Sequence, residues 1–336
     1  MRLKEFSKIP TGPIKMKKVV ITREVFSETI ELLSTHFDIV HNQQDLIFKR
    51  DELFDLISDA EGIQTATSDR VDDEFLDAAP LVKVIANTAV GYNNVDLEAC
   101  SRRGVIVTNT PGVLDATVAD YAIGLMISAC RRIGEGERYV RSGQWKGMRF
   151  KQLLGVDVYG GTLGLLGFGR IGQEIAKRAN GFGMRVLYHA RSPVASATEA
   201  SLNASYVSKD KLLQSSDVVM LILPYSKETH HMIGENQLSQ MKKHSVLVNI
   251  ARGGIVDDKA LINALKNQTL FAAGLDVYEG EPKLNPEFLE LENVVLSPHI
   301  GSGSVSTRRA MAMTAANNLV SVLSHNQAPL NPVNRS

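Results

Sequence analysis

The sequence predicts an α/β protein of two doubly wound, parallel-sheet domains, one inserted into the other. Three observations predict it. A chain of 336 residues is too long for one ordinary core. Short apolar runs alternate with amphipathic stretches over most of its length, the pattern of βαβ units. In the middle of the chain a glycine-rich loop stands between an apolar run and a helical pattern, as in a dinucleotide-binding unit.

The elements follow in order. Residues 1–15 are basic, contain Pro10, Gly12 and Pro13, and lack the apolar core of a signal peptide. They are read as a loose N-terminal extension, with Met16 an alternative start. Candidate strands of the outer domain are 19–22, 82–87 and 105–108. The turn signal Thr110-Pro-Gly precedes a long apolar stretch, 116–130, which has the length of a helix. Apolar runs then recur at 162–166, 185–189, 218–223, 245–250, 271–277 and 293–297, with helical patterns such as 171–180 and 258–266 between most of them. Six strands with intervening helices are the inventory of a Rossmann domain. A last helical stretch, 307–323, is read as returning to the first domain. The expected division is therefore 16–115 with 301–336 for the outer domain, and 116–300 for the inserted one.

Composition excludes several classes of function. Lys plus Arg equals Asp plus Glu at 37 each, so no dominant nucleic-acid surface is expected. No apolar run reaches membrane-spanning length. Cys100 and Cys130 are too few for a disulfide framework and fit a reducing compartment, so a cytoplasmic protein is expected. No metal is expected.

Gly167, Gly169 and Gly172 stand in G-x-G-x-x-G spacing. The first glycine permits a tight turn, the second lets backbone approach a pyrophosphate, and the third allows close helix–strand packing. The helix that follows aims free N–H groups at the phosphates, and Arg170 can add a charge. The next strand ends Tyr188-His189-Ala190-Arg191-Ser192. An NAD site usually carries an acid here for the ribose 2′-hydroxyl, and none is present. Arg191 and Ser192 offer a cation and a hydroxyl to a 2′-phosphate, so NADP(H) is the expected cofactor, with NAD(H) a second possibility. His189 is read as a neighbour of the ribose.

Ligands of doubly wound folds sit beyond the carboxyl ends of the strands. One such end leads to Ala251-Arg252-Gly253-Gly254. Another carries Asp276 and leads to Glu279 and Glu281. A third leads to Pro298-His299-Ile300-Gly301. A guanidinium can hold a substrate carboxylate and polarise the adjacent carbonyl. An imidazole can give a proton to the oxygen as hydride reaches carbon, and a carboxylate can orient the ring. From position alone, the carboxylate can be any of the three acids. His36, His41, His230, His231, His244 and His325 have no such context and are read as structural or exposed. Trp145 is left open between packing and lining a site.

The motifs in combination resemble the D-isomer-specific 2-hydroxyacid dehydrogenase family: the glycine loop, Asn249-Ile-Ala-Arg-Gly-Gly254, Gly274-Leu-Asp-Val-Tyr-Glu-Gly-Glu-Pro282 and Ser297-Pro-His-Ile-Gly301. The resemblance covers roughly residues 17 to 332. It implies that Arg252 binds substrate, that His299 is the acid/base and that Glu281, of the Glu-Pro pair, partners the histidine. It places Thr117, Ile171, Pro224, Ala251 and Asp276 against the cofactor, Asp276 near the nicotinamide amide. Asn87-Thr-Ala-Val-Gly-Tyr-Asn-Asn-Val-Asp96 resembles the family's substrate loop, in which N–H groups at Val90 and Gly91 bind the carboxylate.

The 66–72 segment, Val90-Gly91-Tyr92 and the Tyr188–Ser192 ending are similar to the glyoxylate/hydroxypyruvate reductase branch. The implied fold is a Rossmann domain inserted into a flavodoxin-like substrate domain. The implied assembly is a homodimer joined through the helix at about 116–135. The implied reaction is NADPH-dependent reduction of a small 2-oxo acid. Alternatives on the same fold are a reductase of sugar acids such as 2-ketogluconate and a dinucleotide-sensing corepressor. Formate dehydrogenases of this fold carry glutamine where this chain has Glu281.

Overall fold

The computed structural model describes residues 16–334. The extension expected over 1–15 lies outside the described residues. The chain divides into two compact units, Met1–Pro111 with Arg309–Ser336, and Gly112–Arg308. The sequence reading places these transitions at 115/116 and 300/301.

The first unit carries strands β1 (Lys18–Ile21), β2 (Asp38–His41), β3 (Gly62–Thr65), β4 (Val84–Asn87) and β5 (Ile106–Thr108). All pair in parallel, in the order β2-β1-β3-β4-β5, which is the flavodoxin-like order. A parallel sheet is covered on both faces. Val20, Ile63, Ile85 and Val107 pack with Ile57, Phe75 and Leu76 on one side. Val19, Ile21, Val84 and Ala86 pack with Leu33, Ala315, Ala316 and Leu319 on the other.

Two of these strands, β2 and β3, were not anticipated. β2 is an edge strand of four residues with no fully buried position. β3 reads Gly-Ile-Gln-Thr, and its polar residues are buried: Gln64 donates to the Ala312 carbonyl at 3.4 Å. At Gly62 an added Cβ would lie 2.6 Å from Leu323 Cδ1 and 3.0 Å from Leu319 Cδ2, so the C-terminal helical segment packs closely on the sheet there.

The second unit holds β6 (Thr162–Leu166), β7 (Arg185–His189), β8 (Ala204–Tyr206), β9 (Val218–Leu221), β10 (Val246–Asn249), β11 (Ala272–Leu275) and β12 (Val294–Leu296). The order is β12-β11-β10-β9-β6-β7-β8, again all parallel. This is the Rossmann order with one strand added beyond β11. Six strands were expected, and the seventh is β8, a three-residue edge strand with two exposed positions that carries no apolar run. The long apolar stretch is a helix, Asp115–Cys130, whose Val118, Ala119, Ala122, Leu125 and Met126 are buried. Gly274 of β11 has no room for a side chain, because Leu125 stands 2.9 Å from where its Cβ would be.

The final helix is Val305–Leu319, continued by one π turn, Val320–Ser324. Among the described residues no helix is long and apolar enough to cross a membrane.

Candidate active site

The glycine loop follows β6 directly. Gly167 has φ +100°, and an added Cβ would lie 2.5 Å from the Ile222 carbonyl oxygen. An added Cβ at Gly172 would lie 2.9 Å from the Gly167 oxygen, while at Gly169 nothing lies within 4 Å. Two glycines are thus demanded by packing and one keeps an open approach. Gly169 caps the helix Arg170–Gly181 without any side-chain hydrogen bond, so the first-turn N–H groups face outward. These features fit a dinucleotide pyrophosphate. Arg170 is exposed at the first position of that helix, and Ile171 packs on the core.

Past β7, the His189 ring is turned away onto the Val207 carbonyl, with Nδ1 at 3.0 Å, and stacks on Tyr206. Arg191 and Ser192 are exposed, and neither makes a side-chain bond among the described residues. An acid does stand close by in the fold. Glu199 accepts from the Tyr188 hydroxyl at 2.8 Å and from the Tyr206 N–H at 3.1 Å, so its Oε1 is already committed. Elsewhere on this side, Thr117 meets Thr307 at 2.6 Å and the Pro224 carbonyl accepts from Thr229 at 3.1 Å.

Three strand ends carry the reactive groups. After β10, the Asn249 side chain accepts from Ala251 N–H at 3.0 Å and donates to the Arg252 carbonyl at 3.2 Å, bracing the turn. Ala251 is buried, and its carbonyl accepts from Arg252 Nη1 at 2.7 Å. Gly253 has to be glycine: an added Cβ would lie 1.7 Å from the Tyr278 carbonyl oxygen. Burial pulls the Arg252 pKa down, and the nearby Glu281 charge opposes this.

After β12, His299 sits in the left-handed region at φ +54°. Its Nδ1 meets Glu281 Oε2 at 2.8 Å, while Glu281 Oε1 accepts from the Tyr278 N–H at 2.8 Å. Both carboxylate oxygens are therefore engaged, and the imidazole is fixed through Nδ1 with Nε2 left to work. Burial pushes the Glu281 carboxyl pKa up. The His299 hydrogen bond and charge, the Tyr278 N–H and the Arg252 charge outweigh it and hold the carboxyl below its ordinary range. Glu279, two residues earlier, turns instead to His231, at 3.2 Å.

Asp276, just past β11, is buried, and its carboxylate accepts from four protein donors. These are Tyr121 Oη at 3.0 Å, Ser297 Oγ at 2.8 Å, Ile300 N at 2.9 Å and Gly301 N at 2.8 Å. It thereby holds the 297–301 loop from both sides of His299. Tyr278 adds a strap, accepting from Ser297 N–H at 2.9 Å. Burial pushes the Tyr278 hydroxyl up to about 12 and the Tyr121 hydroxyl up as well, so both act as neutral donors. Arg308 is a cation near Asp276; desolvation lowers its pKa and the Asp276 charge raises it. Sequence reasoning missed Tyr121 and Arg308. The only signal for Tyr121 is a phenol inside a mostly apolar helix.

In the first unit, the loop after β4 is tied down by its carbonyls. Val90 O accepts from Asn109 at 2.9 Å and Gly91 O from Asn87 at 3.0 Å. The N–H groups of Val90 and Gly91 have no partner among the described residues.

Known proteins match this chain in sequence and in fold. Residues 123–301 match the family model of the D-isomer specific 2-hydroxyacid dehydrogenase, NAD binding domain. The chain is 47% identical to the glyoxylate reductase of Thermococcus kodakarensis over 307 residues, covering 90% of this chain and 92% of that protein. Among solved structures, a protein from Thermus thermophilus superposes with a TM-score of 0.86 at 42% identity, covering 94% of this chain and 99% of that one. The NADPH-dependent glyoxylate/hydroxypyruvate reductase of Sinorhizobium meliloti, solved with NADP and malonate, superposes with a TM-score of 0.82 at 33% identity, covering 95% of this chain and 97% of that one.

Proposed function

We propose that this chain, which belongs to the D-isomer-specific 2-hydroxyacid dehydrogenase family and is an NAD(P)-dependent oxidoreductase, reduces glyoxylate and hydroxypyruvate with NADPH. The observation that carries the reading is the His299–Glu281 pair. Its ring is held through Nδ1 and its carboxylate is engaged on both oxygens, beside Arg252 at the carboxyl ends of β10 to β12. The names of the relatives support the choice of substrate.

A bound nicotinamide supplies the hydride. The chain's own groups do the rest. Arg252 grips the substrate carboxylate and polarises the 2-oxo group, its planar fork matching the planar acid. His299 Nε2 gives its proton to the carbonyl oxygen as carbon takes the hydride. Glu281 stabilises the imidazolium before transfer and keeps the ring aimed. Hydroxypyruvate would give the D-2-hydroxy acid, and glyoxylate the achiral glycolate. We also retain Val90 and Gly91 N–H groups as ligands of the carboxylate. Their lack of partners among the described residues supports this.

NADPH is favoured because Arg191 and Ser192 are exposed with no side-chain partner among the described residues, and Glu199 is held by Tyr188 and Tyr206. The chain is proposed to work as a homodimer in the cytoplasm. The helix Asp115–Cys130 is mostly buried in its own unit, so the contact is expected also to use the apolar side chains exposed just after it, Ile133, Val140, Trp145, Met148 and Phe150.

The test is turnover of glyoxylate, hydroxypyruvate and 2-ketogluconate with NADPH and with NADH. Glyoxylate or hydroxypyruvate with NADPH should give the highest kcat/KM. A clear lead for 2-ketogluconate would move the substrate to a sugar acid, and binding of NADPH without turnover of any of them would favour a sensor. Light scattering on the eluting protein checks the dimer.

A further inference from the structure

A side-chain cluster outside the hydride-transfer machinery has the composition of a transition-metal site. His230, His231 and Glu279 each offer one ligand atom, and these atoms all lie within 4.8 Å of one another. The His231 Nε2–Glu279 Oε2 separation is 3.2 Å. Two ligands at about 2.0–2.1 Å from a tetrahedral ion stand about 3.4 Å apart, so this pair already has the right spacing, and the third ligand atom lies within 4.8 Å of both. Two imidazoles and one carboxylate suit zinc, nickel or cobalt far better than magnesium or calcium, which take oxygen ligands.

The surroundings are those of a held site. The Tyr225 hydroxyl meets His230 Nδ1 at 3.2 Å, fixing that ring. Asp257 Oδ2 lies 4.0 Å from His231 Nδ1, on the side away from Glu279, where a carboxylate leaves Nε2 as the ligating atom. The two rings stack at 3.9 Å. His231 is left-handed at φ +48° and its N–H donates to the Gly254 carbonyl at 2.8 Å, so its backbone is anchored to the turn that carries Arg252. The Glu279 N–H faces Asp258 Oδ2 at 3.4 Å, which adds negative charge beside the cluster. A lone surface ion pair needs neither the second histidine nor the tyrosine.

We propose that His230, His231 and Glu279 form a binding site for a divalent transition-metal ion of the zinc type, braced by Tyr225 and Asp257. An ion there would clip the 230–231 turn to the segment that runs on to Glu281. A fourth position would be left to water.

The probe is Co²⁺, titrated into full-length, untagged protein that has been stripped with a chelator and dialysed. Wild type should bind one equivalent with an intense visible d–d absorption, which marks four-coordination. Zn²⁺ should displace it and raise the melting temperature by binding linkage. His230→Ala and His231→Asn should each weaken binding by more than about a hundredfold, and Tyr225→Phe by about tenfold. Asparagine is used at 231 because it tolerates left-handed backbone. The melting temperature of each stripped variant confirms that it folds, and Tyr225→Phe keeps the test alive if a histidine variant does not. The proposal falls if wild type gives no such band. It falls equally if the band and affinity survive in all three variants, which would place the ion elsewhere, for example at the His36–His325 ring pair.

Discussion

Around His299 nearly every polar atom is already committed. Glu281 gives one oxygen to the ring and the other to Tyr278 N–H, and Asp276 accepts from four donors that frame the same loop. Beyond β7 the arrangement is the reverse. Arg191 and Ser192 stand exposed with no side-chain partner among the described residues, and the neighbouring polar groups, His189 and Glu199, are turned to other work. In the proposed reaction one region would handle charge that changes during a turnover; the other would only recognise a charge that is fixed. Groups that must stabilise a transient charge gain from being oriented beforehand, because nothing then reorganises at the moment of reaction. A group that tells a phosphate from a hydroxyl needs only to be near it. The consequence is that substitutions at the first region should be costly and specific to turnover, and those at the second mild and specific to affinity.

The largest effect should come from Arg252→Ala. Two charge-assisted hydrogen bonds to a carboxylate are worth roughly 3–6 kcal/mol together, which is about two to four decades of kcat/KM. NADPH affinity should hardly change. Arg252→Lys should recover little, since a point charge lacks the planar fork. Steady-state kinetics together with cofactor titration separate the two quantities. Near-normal kcat/KM in the alanine variant would take Arg252 out of the site.

Asp276→Asn comes next. An amide can replace one carboxylate oxygen as acceptor but turns a donor toward N–H and O–H groups at the other. The 297–301 loop should loosen, and kcat should drop by about ten- to a hundredfold for lost orientation, with a smaller change in KM. A fall in melting temperature with unchanged kcat would mean that the network serves the fold and not the histidine.

Glu281→Gln probes the pair through pH. The Glu281 carboxyl is held below its ordinary range, so it contributes fully above about pH 4.3 and loses its effect as pH falls through its folded-state value. Near neutrality it is charged. Wild type should therefore lose rate on the acid side, as Glu281 is protonated and its hold on the ring is lost. The glutamine variant should lose about ten- to a hundredfold in kcat through poorer orientation of the ring, and that acid-side limb should vanish, because the amide does not titrate. A pH–rate profile that superposes on wild type would point to another partner for His299. Glu279 is already turned to His231.

The committed region was also the more legible one in sequence, and the reason is local geometry. Asn249-Ile-Ala-Arg-Gly-Gly254 specifies its own turn: the asparagine braces it from within, and Gly253 must lie against Tyr278. The glycine loop is readable for the same reason, since Gly167 needs its positive φ wherever it occurs. Tyr121 and Arg308 were not readable. Tyr121 bonds to Asp276, and Arg308 acts on it through charge, each from a segment far away in the chain, and no nearby residue announces it. β2 and β8 escaped because edge strands of three or four residues, partly exposed, need no apolar run. β3 escaped because it buries Gln64 through a hydrogen bond rather than through hydrophobicity.

The mildest prediction, and the one that most sharpens the contrast, is Arg191→Ala. In the proposed NADPH complex the 2′-phosphate would bring an anion to a place where the protein offers one exposed guanidinium. A charge-assisted hydrogen bond is worth roughly 1.5–3 kcal/mol, and exposure to salt and water pushes the effect toward the lower end. NADPH should therefore bind about tenfold more weakly, NADH should be nearly unaffected, and kcat with saturating NADPH should stay within about twofold, because no reacting atom is touched. The difference should shrink as salt is added, with a screening length of about 10 Å at 0.1 M. His189→Asp should push the preference further toward NADH by repulsion of the phosphate. Dissociation constants for both cofactors at two ionic strengths decide the matter. If the alanine variant weakens NADPH and NADH alike, Arg191 serves the adenosine that they share or the loop itself. The absence of an acid after β7 would then no longer argue for NADP.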